Sequence, residues 1–289
     1  MAKETNAFVR KLAHNDPAVR NAAFVALKNF LKAKSSSKLD LIELQVLWRG
    51  LYFSMWYCDK PIPQQTLAGN LGELFSKVVA ESQLQDFHRA YWLIMAKEWP
   101  QLDKWRLDKY LMLVRRVLRH LLFRLEEHGW PEAEVQNFLD VLNEYPLSEK
   151  AFFPKSLTYH ICDIYLDEIE YVIFKDFRDY SQEDDVESED EDDEDDEENE
   201  DDDEEKEEKN KNDVRSLTEE EQNAKKAQIL ANTPLVKLIE PFDTLSKSGK
   251  DKVLRNKIKE EVINDDRIKA WGVNDEEEND DSEDEWTGF

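Results

Sequence analysis

The chain has 289 residues and carries 66 acidic against 39 basic side chains, for a formal net charge of −27. The charge divides the chain, because residues 1–180 hold 24 bases and 24 acids and the whole excess of acid lies beyond them. Two cysteines, Cys58 and Cys162, are too few for a disulfide framework and favour a reducing compartment. No apolar stretch approaches the ~20 residues of a membrane-spanning helix, and the first residues lack the apolar core of a signal peptide. We therefore expect neither a membrane protein nor a disulfide-rich secreted domain.

The densest aromatic stretch, residues 47–75, predicts a helical hairpin. Its first helix places Trp48, Tyr52 and Trp56 among leucines at spacings of three and four, so that one face is apolar. Pro61 ends this helix, because proline disfavours helical geometry at the preceding residue and donates no backbone hydrogen bond. A second helix begins at this proline or at the next one. The inner faces of the pair are predicted to carry Leu44, Leu51, Met55, Leu67, Leu71, Leu74, Phe75 and Val78.

Helical patterns on both sides of this hairpin fill the rest of residues 1–180, and seven glycines in the whole chain favour an all-α body. The stretch Asp16 to Leu27 resembles the second helix of a HEAT-type repeat, although no clear second copy follows at a period of ~40–47 residues. Short connections favour antiparallel neighbours, so we predict antiparallel hairpins stacked as a HEAT-like, α-solenoid-type bundle. The predicted helices cover residues 5–14, the stretch after Pro17, 84–99, 103–129, 131–143 and the stretch after Pro154.

The composition changes abruptly after residue 180. Residues 181–213 are predicted to be a disordered acidic linker, because 23 acids against three lysines lie in 183–213 with almost nothing to bury. Residues 214–273 return to a helical pattern that packs either on the body or on a partner, and 274–289 form a second acidic tail. The apolar stripes of this C-terminal segment, as candidates for docking on a partner, are Leu235, Leu238, Ile239, Phe242, Leu254 and Ile258.

No sequence motif for catalysis or cofactor binding is found. The chain has no glycine-rich phosphate loop, so we expect no nucleotide or other cofactor and no small-molecule substrate. His160 and Cys162 point about 200° apart on a helix, which argues against both a metal site and a nucleophile–base pair. We therefore predict that the protein is not an enzyme.

Two helical stripes are candidates for binding. The stripe Trp48, Tyr52 and Trp56 could stack on bases, but its position between leucines is more typical of a core. A basic stripe on the long helix could neutralise several phosphates of RNA, or contact a protein partner. The alternative for this stripe is a solvated face or a set of intramolecular ion pairs. Its members are Lys104, Arg115, Arg116, Arg119 and Arg124.

The acidic tract has three physical uses: it can increase solubility, mimic nucleic acid toward basic proteins, or serve as a modified linker. Ser188 and Ser282 each precede Glu-Asp-Glu, a pattern typical of substrates of acidophilic kinases, and are predicted phosphorylation sites.

Several blocks of the chain resemble the eukaryotic nucleolar ribosomal RNA-processing protein 1 family. The most specific is W-x-G-L-[YF]-x-x-M-W-x-x-D-K-P, which starts at Trp48 and is followed by Gln64, Gln65, Leu67 and Ala68. The blocks are FVRKL (8–12), LWRGLYFSMWYCDKPIPQQTLAGNLGELF (47–75), FHRAYWLIMAKEWPQLDKWRLDKYLMLVRR (87–116), EKAFFPKSLTYHICDIYLDEI (149–169) and IEPFDTL (239–245).

The resemblance implies a non-enzymatic nucleolar assembly factor that acts on early pre-60S particles. Its partners would be pre-60S assembly factors, ribosomal proteins and precursor rRNA, the last bound directly or through other proteins. It would be required for processing toward the large-subunit and 5.8S rRNAs. The alternative hypothesis is an acidic chaperone for basic proteins such as histones or ribosomal proteins. A nuclease is the third possibility, and the lack of catalytic motifs in the sequence argues against it.

Overall fold

The computed structural model describes residues 10–12, 14, 16–33, 38–178, 214 and 217–273. In these ranges the backbone forms α-helices and no β-strand, which confirms the predicted all-α class. The helices are α1 (Pro17–Ala33), α2 (Leu41–Trp56), α3 (Pro61–Glu73), α4 (Glu81–Glu98), α5 (Leu107–Glu127), α6 (Glu132–Glu144), α7 (Lys155–Ile173), α8 (Glu219–Asn232), α9 (Leu235–Ser248), α10 (Lys252–Ile258) and α11 (Asp266–Ala270). Helix α3 continues in a π-helical turn, Leu74–Val78, and α10 in another, Lys259–Ile263.

The predicted hairpin of α2 and α3 is confirmed. Asp40 caps α2 by accepting a hydrogen bond from the backbone N–H of Glu43, whose carboxylate accepts the N–H of Asp40 in return. Pro61 is the first residue of α3, where its missing N–H costs no helical hydrogen bond. The Gln64 side chain donates to the carbonyl oxygen of Cys58 at 2.8 Å and so closes the corner between the helices.

Alternate helices pack side by side and form two layers. In the first layer α2 lies along α4, and α4 along α6; in the second α3 lies along α5, and α5 along α7. Contacts between two alternate helices run from the start of both helices toward the end of both, so these helices are parallel. For example, Leu39 meets Gln83 at the start of the α2–α4 pair and Arg49 meets Glu98 at its end. This arrangement is the stacking of helical hairpins that defines an α-solenoid.

The repeat is structural rather than visible in the sequence. Helices α2 and α4 begin at Leu41 and Glu81, 40 residues apart, which matches the length of a HEAT-type unit. The α6–α7 hairpin begins only at Glu132, because the α4–α5 connection and both helices of the second hairpin are longer than those of the first. Different side chains fill equivalent core positions in each hairpin, so a sequence comparison at a fixed period finds no second copy.

A single hydrophobic core runs through the stack and is aromatic at its centre. The Trp48 ring lies 5.0 Å from the rings of Phe87 and Tyr91 and 5.5 Å from that of Phe75, measured between centroids. These contacts support the interpretation of the α2 aromatic stripe as core, since Trp48 and Tyr52 are both buried. Trp56, the last member of the stripe, is half-buried.

The C-terminal segment continues the stack as a fourth hairpin. Helix α9 packs on α6, and α10 packs on α7. Tyr165 of α7 donates its hydroxyl to the carbonyl oxygen of Leu238 at 2.9 Å, and its ring lies 4.4 Å from that of Phe242. An ion pair of 2.5 Å joins Lys155 to Asp251 along the α7–α10 contact.

The six apolar side chains predicted as a docking surface are therefore placed in the chain's own core. Each is at most 5% exposed, so none of them has surface left for a partner. In the structure these side chains are buried against the body, so the prediction that they dock on a partner is corrected. The residues concerned are Leu235, Leu238, Ile239, Phe242, Leu254 and Ile258.

The acidic linker is an insertion between the third and fourth hairpins. The described residues before the linker end at Arg178, after α7, and those after it are Val214 and the stretch from Leu217, which leads into α8. The predicted disorder of 181–213 and 274–289, and most of the predicted helix 5–14, lie outside the described residues, and the boundaries of these segments stay predictions. Among the helices that are described, none is long and apolar enough to cross a lipid bilayer.

Candidate nucleic-acid interface

The arginine stripe of α5 faces carboxylates of α7. Arg119 donates from Nε to Glu168 Oε2 at 2.7 Å, and Glu168 is fully buried. Only 4% of the Arg119 side chain is exposed, and its guanidinium carbon lies 3.4 Å from the centroid of the Tyr171 ring. The pair is a buried, charge-assisted contact that joins α5 to α7.

Arg115 extends this contact into a network. Its Nη1 donates to the other oxygen of Glu168 at 2.9 Å, and its Nη2 lies 3.4 Å from Oδ2 of Asp167. Arg267 of α11 donates to the second oxygen of Asp167 at 2.9 Å and also reaches Glu170 at 3.3 Å. The network therefore connects α5, α7 and the last helix of the described chain.

Arg124 and Arg116 are buried as well. Arg124 donates to the carbonyl oxygens of Phe75 and Val79 at 3.3 and 3.1 Å, and to the Glu134 carboxylate at 3.2 Å. It thus satisfies backbone acceptors at the end of the π-helical turn, where the helix leaves carbonyl groups without intrahelical partners. Arg116 is 6% exposed, inside the α3–α5 contact.

The basic stripe is therefore mainly structural, as its alternative interpretation had it. A phosphate cannot reach guanidinium groups that are buried, so the prediction of RNA contact is corrected for Arg116, Arg119 and Arg124. Arg115 is 37% exposed and is already held by two carboxylates. Lys104 is the member that lies at the surface, with its Nζ 4.7 Å from the centroid of the Trp105 ring.

His160 and Cys162 have separate structural roles. His160 Nε2 lies 3.0 Å from the carbonyl oxygen of Leu111, whereas the Cys162 thiol is buried on another side of α7. Burial raises the pKa of Cys162 to about 12, which keeps the thiol protonated and unreactive at neutral pH. Within the described ranges, no group of three or more His, Cys, Asp or Glu side chains is placed to hold a metal ion.

The connections inside the four hairpins lie along one edge of the stack, because first-layer helices end there and second-layer helices begin there. Trp99 donates its Nε1–H to the Ser156 hydroxyl at 2.9 Å, which joins the α4–α5 corner to the start of α7. The Arg106 guanidinium lies 4.3 Å from the Trp56 ring centroid and joins the same corner to the end of α2. This loop edge consists of residues 57–60, 99–106, 145–154 and 249–251.

A groove of about 470 Å³ opens at the loop edge where the third and fourth hairpins meet. One wall comes from the α6–α7 connection and the first turns of α7, and the other from the α9–α10 corner. Its lining combines basic and aromatic side chains. We call it the lysine groove, after Lys150, Lys155, Lys250 and Lys252, which line it together with Phe153 and Tyr159.

Each of the two acids in the groove wall has a partner within the groove. The Glu149 carboxylate accepts two backbone N–H groups of the α9–α10 corner, at 2.9 and 2.7 Å. Asp251 pairs with Lys155, and this contact raises the pKa of Lys155 and lowers that of Asp251. Three further lysines form no ion pair with any other described residue: Lys150, Lys250 and Lys252.

The same edge exposes aromatic rings. Trp105 is 83% exposed, Phe152 is 54% exposed and Tyr57 is 42% exposed, and each lies in a different hairpin connection or directly beside one. Phe152 lies next to two residues of the groove lining, and its ring centroid is 6.4 Å from that of Phe153. Aromatic faces beside lysines are the combination with which proteins hold single-stranded nucleic acids.

Sequence reasoning missed the lysine groove, because its two walls lie about a hundred residues apart and on opposite sides of the acidic linker. The available signal was local: lysines at 150, 250 and 252 flank chain reversals, whereas the predicted arginines lie inside a helix between apolar residues. Basic side chains in the connections between helices are exposed to solvent more often than basic side chains on the inner face of a central helix.

A comparison with known proteins finds a family whose profile matches nearly the whole chain. A profile described as "Nucleolar protein, Nop52" matches residues 3–288. The chain belongs to the Nop52 family of nucleolar proteins. Family membership confirms the resemblance found in the sequence blocks and the predicted localisation in the nucleus and nucleolus.

Similar curated proteins come from distantly related eukaryotes. The Homo sapiens protein "Ribosomal RNA processing protein 1 homolog B" is 34% identical over 165 residues, which cover 56% of this chain and 22% of that protein. The Caenorhabditis elegans "Ribosomal RNA processing protein 1 homolog" is 34% identical over 164 residues, or 56% of this chain and 41% of that protein. The matched region thus spans less than half the length of either relative.

Proposed function

We propose that the protein is a non-enzymatic assembly factor that binds early pre-60S particles as a helical scaffold in the nucleolus. Its role in rRNA processing is supported by the names of its relatives and by its membership of a nucleolar family. The observation that carries the scaffold mechanism is the stacked-hairpin architecture, which continues across the acidic insertion into a fourth hairpin. Solenoids of this kind present extended surfaces to large partners, and their stability comes from contacts between neighbouring repeats.

The buried polar groups of the body support a structural rather than a catalytic use. Glu168 and Arg119 form an interhelical pair, and Arg124 holds the carbonyl groups of a π-helical turn. His88 accepts a hydrogen bond from Trp92 Nε1 at 2.8 Å, and burial lowers its pKa to about 3, so it stays neutral at physiological pH. The contacts of Glu168 and Arg124 fix one helix against another, whereas that of His88 lies within α4.

The scaffold proposal is tested by deleting residues 181–213 from the full chain. If the helical stack carries the function, the deletion variant sediments with pre-60S particles and supports precursor processing nearly as well as the unaltered chain. A variant that disrupts the stack, such as one with Leu238 and Phe242 both changed to Asp, loses particle association. Loss of sedimentation in the deletion variant alone would contradict the proposal.

A second candidate is an acidic chaperone for basic proteins, favoured by the 23 acidic residues between 183 and 213. It predicts the opposite result: the deletion variant would lose binding to purified histones or ribosomal proteins and fail in assembly, whereas the helical stack would be dispensable. A nuclease activity would appear as cleavage of precursor rRNA by the purified chain with Mg²⁺, and we expect none.

A further inference from the structure

We propose that the lysine groove, with Phe152 on its rim, binds a single-stranded stretch of RNA. The inference rests on the proposed function in pre-60S assembly and adds to it a direct RNA site, formed jointly by the third and fourth hairpins. The groove is absent from either half of the chain alone, because its walls come from both sides of the acidic linker.

The charges of the groove fit a phosphate backbone. Its three lysines without ion pairs leave local positive charge in a chain whose total charge is −27. The groove lining holds four lysines against two acids, Glu149 and Asp251, so its net charge is positive. Asp251 is paired with Lys155, and the Glu149 carboxylate accepts two backbone N–H groups. Lysines that release counterions from phosphates supply most of the affinity of sequence-independent RNA binding.

The aromatic rim distinguishes RNA from other polyanions. The Phe152 ring is 54% exposed, an exposure that costs free energy in water and that stacking on a base would reduce. The groove volume of about 470 Å³ lies in the range of pockets that hold small organic groups, about 300–1,000 Å³. An acidic peptide would use the lysines but would gain little from this ring, so the combination favours nucleotides.

The neighbouring corner extends the same chemistry. Lys104 and Trp105 lie in the α4–α5 connection, which the Trp99–Ser156 hydrogen bond joins to the first turn of α7. Trp105 is 83% exposed. A strand held in the lysine groove therefore has a second stacking platform and a further cation along the loop edge.

The test measures binding of the full chain to a fluorescein-labelled oligouridine by fluorescence anisotropy, as a function of salt. Changing Lys150, Lys250 and Lys252 together to Glu is expected to weaken binding at least tenfold. It also lowers the slope of log K against log salt by about 2, because each phosphate contact on a single strand contributes about 0.7.

A matched control changes three exposed lysines elsewhere, Lys32, Lys259 and Lys269, to Glu. This variant has the same net charge as the groove variant, and its Kd is expected to stay within twofold of that of the unaltered chain. Equal weakening in both variants would mean that binding follows the net charge, and it would overturn the proposal.

Phe152→Leu separates RNA from an acidic peptide. The change keeps an apolar side chain of similar size but removes the aromatic face, and it is expected to weaken oligouridine binding about fivefold or more. A groove that binds polyglutamate as tightly as RNA, with no effect of Phe152→Leu, is a protein-docking site and contradicts the inference. Failure of the unaltered chain to bind oligouridine contradicts it too.

Failure of the inference is distinguishable from failure of the scaffold proposal. If the groove variant and the unaltered chain bind RNA equally, while both sediment with pre-60S particles, the RNA site is refuted and the scaffold stands. If the unaltered chain binds RNA through the groove but is absent from pre-60S particles, the scaffold proposal is refuted instead.

Discussion

Glu168 offers the sharpest test of how the stack is held together. Its carboxylate is fully buried between α5 and α7 and accepts from Arg119 at 2.7 Å and from Arg115 at 2.9 Å. Glu168→Gln preserves the shape of the side chain but removes its charge, so the buried guanidinium of Arg119 loses its ion pair with this carboxylate. Breaking one partner of a buried pair costs about 3–5 kcal/mol of stability.

The expected effect is large enough to measure without ambiguity. For a folded unit of this size, 1 kcal/mol shifts the Tm by about 2–4 °C, so Glu168→Gln should lower the Tm by about 6–20 °C. Thermal unfolding followed by circular dichroism gives the Tm, and urea unfolding followed by tryptophan fluorescence gives the free energy. Glu132→Gln is the matched control, because this carboxylate is 91% exposed where it meets Lys237, and such pairs contribute about 0–1 kcal/mol.

A double variant separates the charge from the packing. Arg119→Met with Glu168→Leu removes both charges and keeps apolar volume, so it should recover most of the stability lost in Glu168→Gln. If Glu168→Gln costs less than about 1 kcal/mol, the pair is not buried as described and the reasoning is refuted.

Three further predictions concern packing, pH and thiol chemistry. Gly72→Ala should destabilise the protein by about 1–3 kcal/mol in urea unfolding, because the new Cβ would lie 2.2 Å from Cδ2 of His120. Gly69→Ala is the control: the space around its Cβ is open, so this change should stabilise the protein by about 0.5–1 kcal/mol. Burial lowers the pKa of His88 and His120 to about 3, so the unfolded chain binds protons that the folded chain does not. The contribution of these histidines to the free energy of unfolding is complete above about pH 6.5. It falls toward pH 3 by about 1.4 kcal/mol per pH unit for each histidine. His88→Gln should therefore reduce the slope of unfolding free energy against pH, and an unchanged slope would contradict the burial of a neutral His88. Cys162, with its raised pKa, should react with a thiol reagent at pH 8 only when the chain is unfolded, and rapid labelling of the folded protein would count against its burial.

The sequence was sufficient to predict the helices and several of their ends. Apolar residues at spacings of three and four mark the inner faces, and Pro61 and Gly249 mark chain reversals that the structure shows at α3 and after α9. Thr218 caps α8, as threonine often does, by accepting a hydrogen bond from the backbone N–H of Glu221. Helix periodicity and capping are local properties, so a few neighbouring residues are enough to determine them.

The tertiary structure decided which groups meet. Periodicity shows that one face of α5 is apolar, but it does not show that α7 brings Glu168 to Arg119 from 49 residues away. The pattern of α9 predicts an apolar stripe but not what covers it. The tertiary structure shows that Tyr165 of α7 packs against this stripe. The lysine groove likewise exists only once the fourth hairpin stacks on the third. The physical reason is that contacts between distant segments depend on the relative position of whole helices, which no local pattern in the chain encodes.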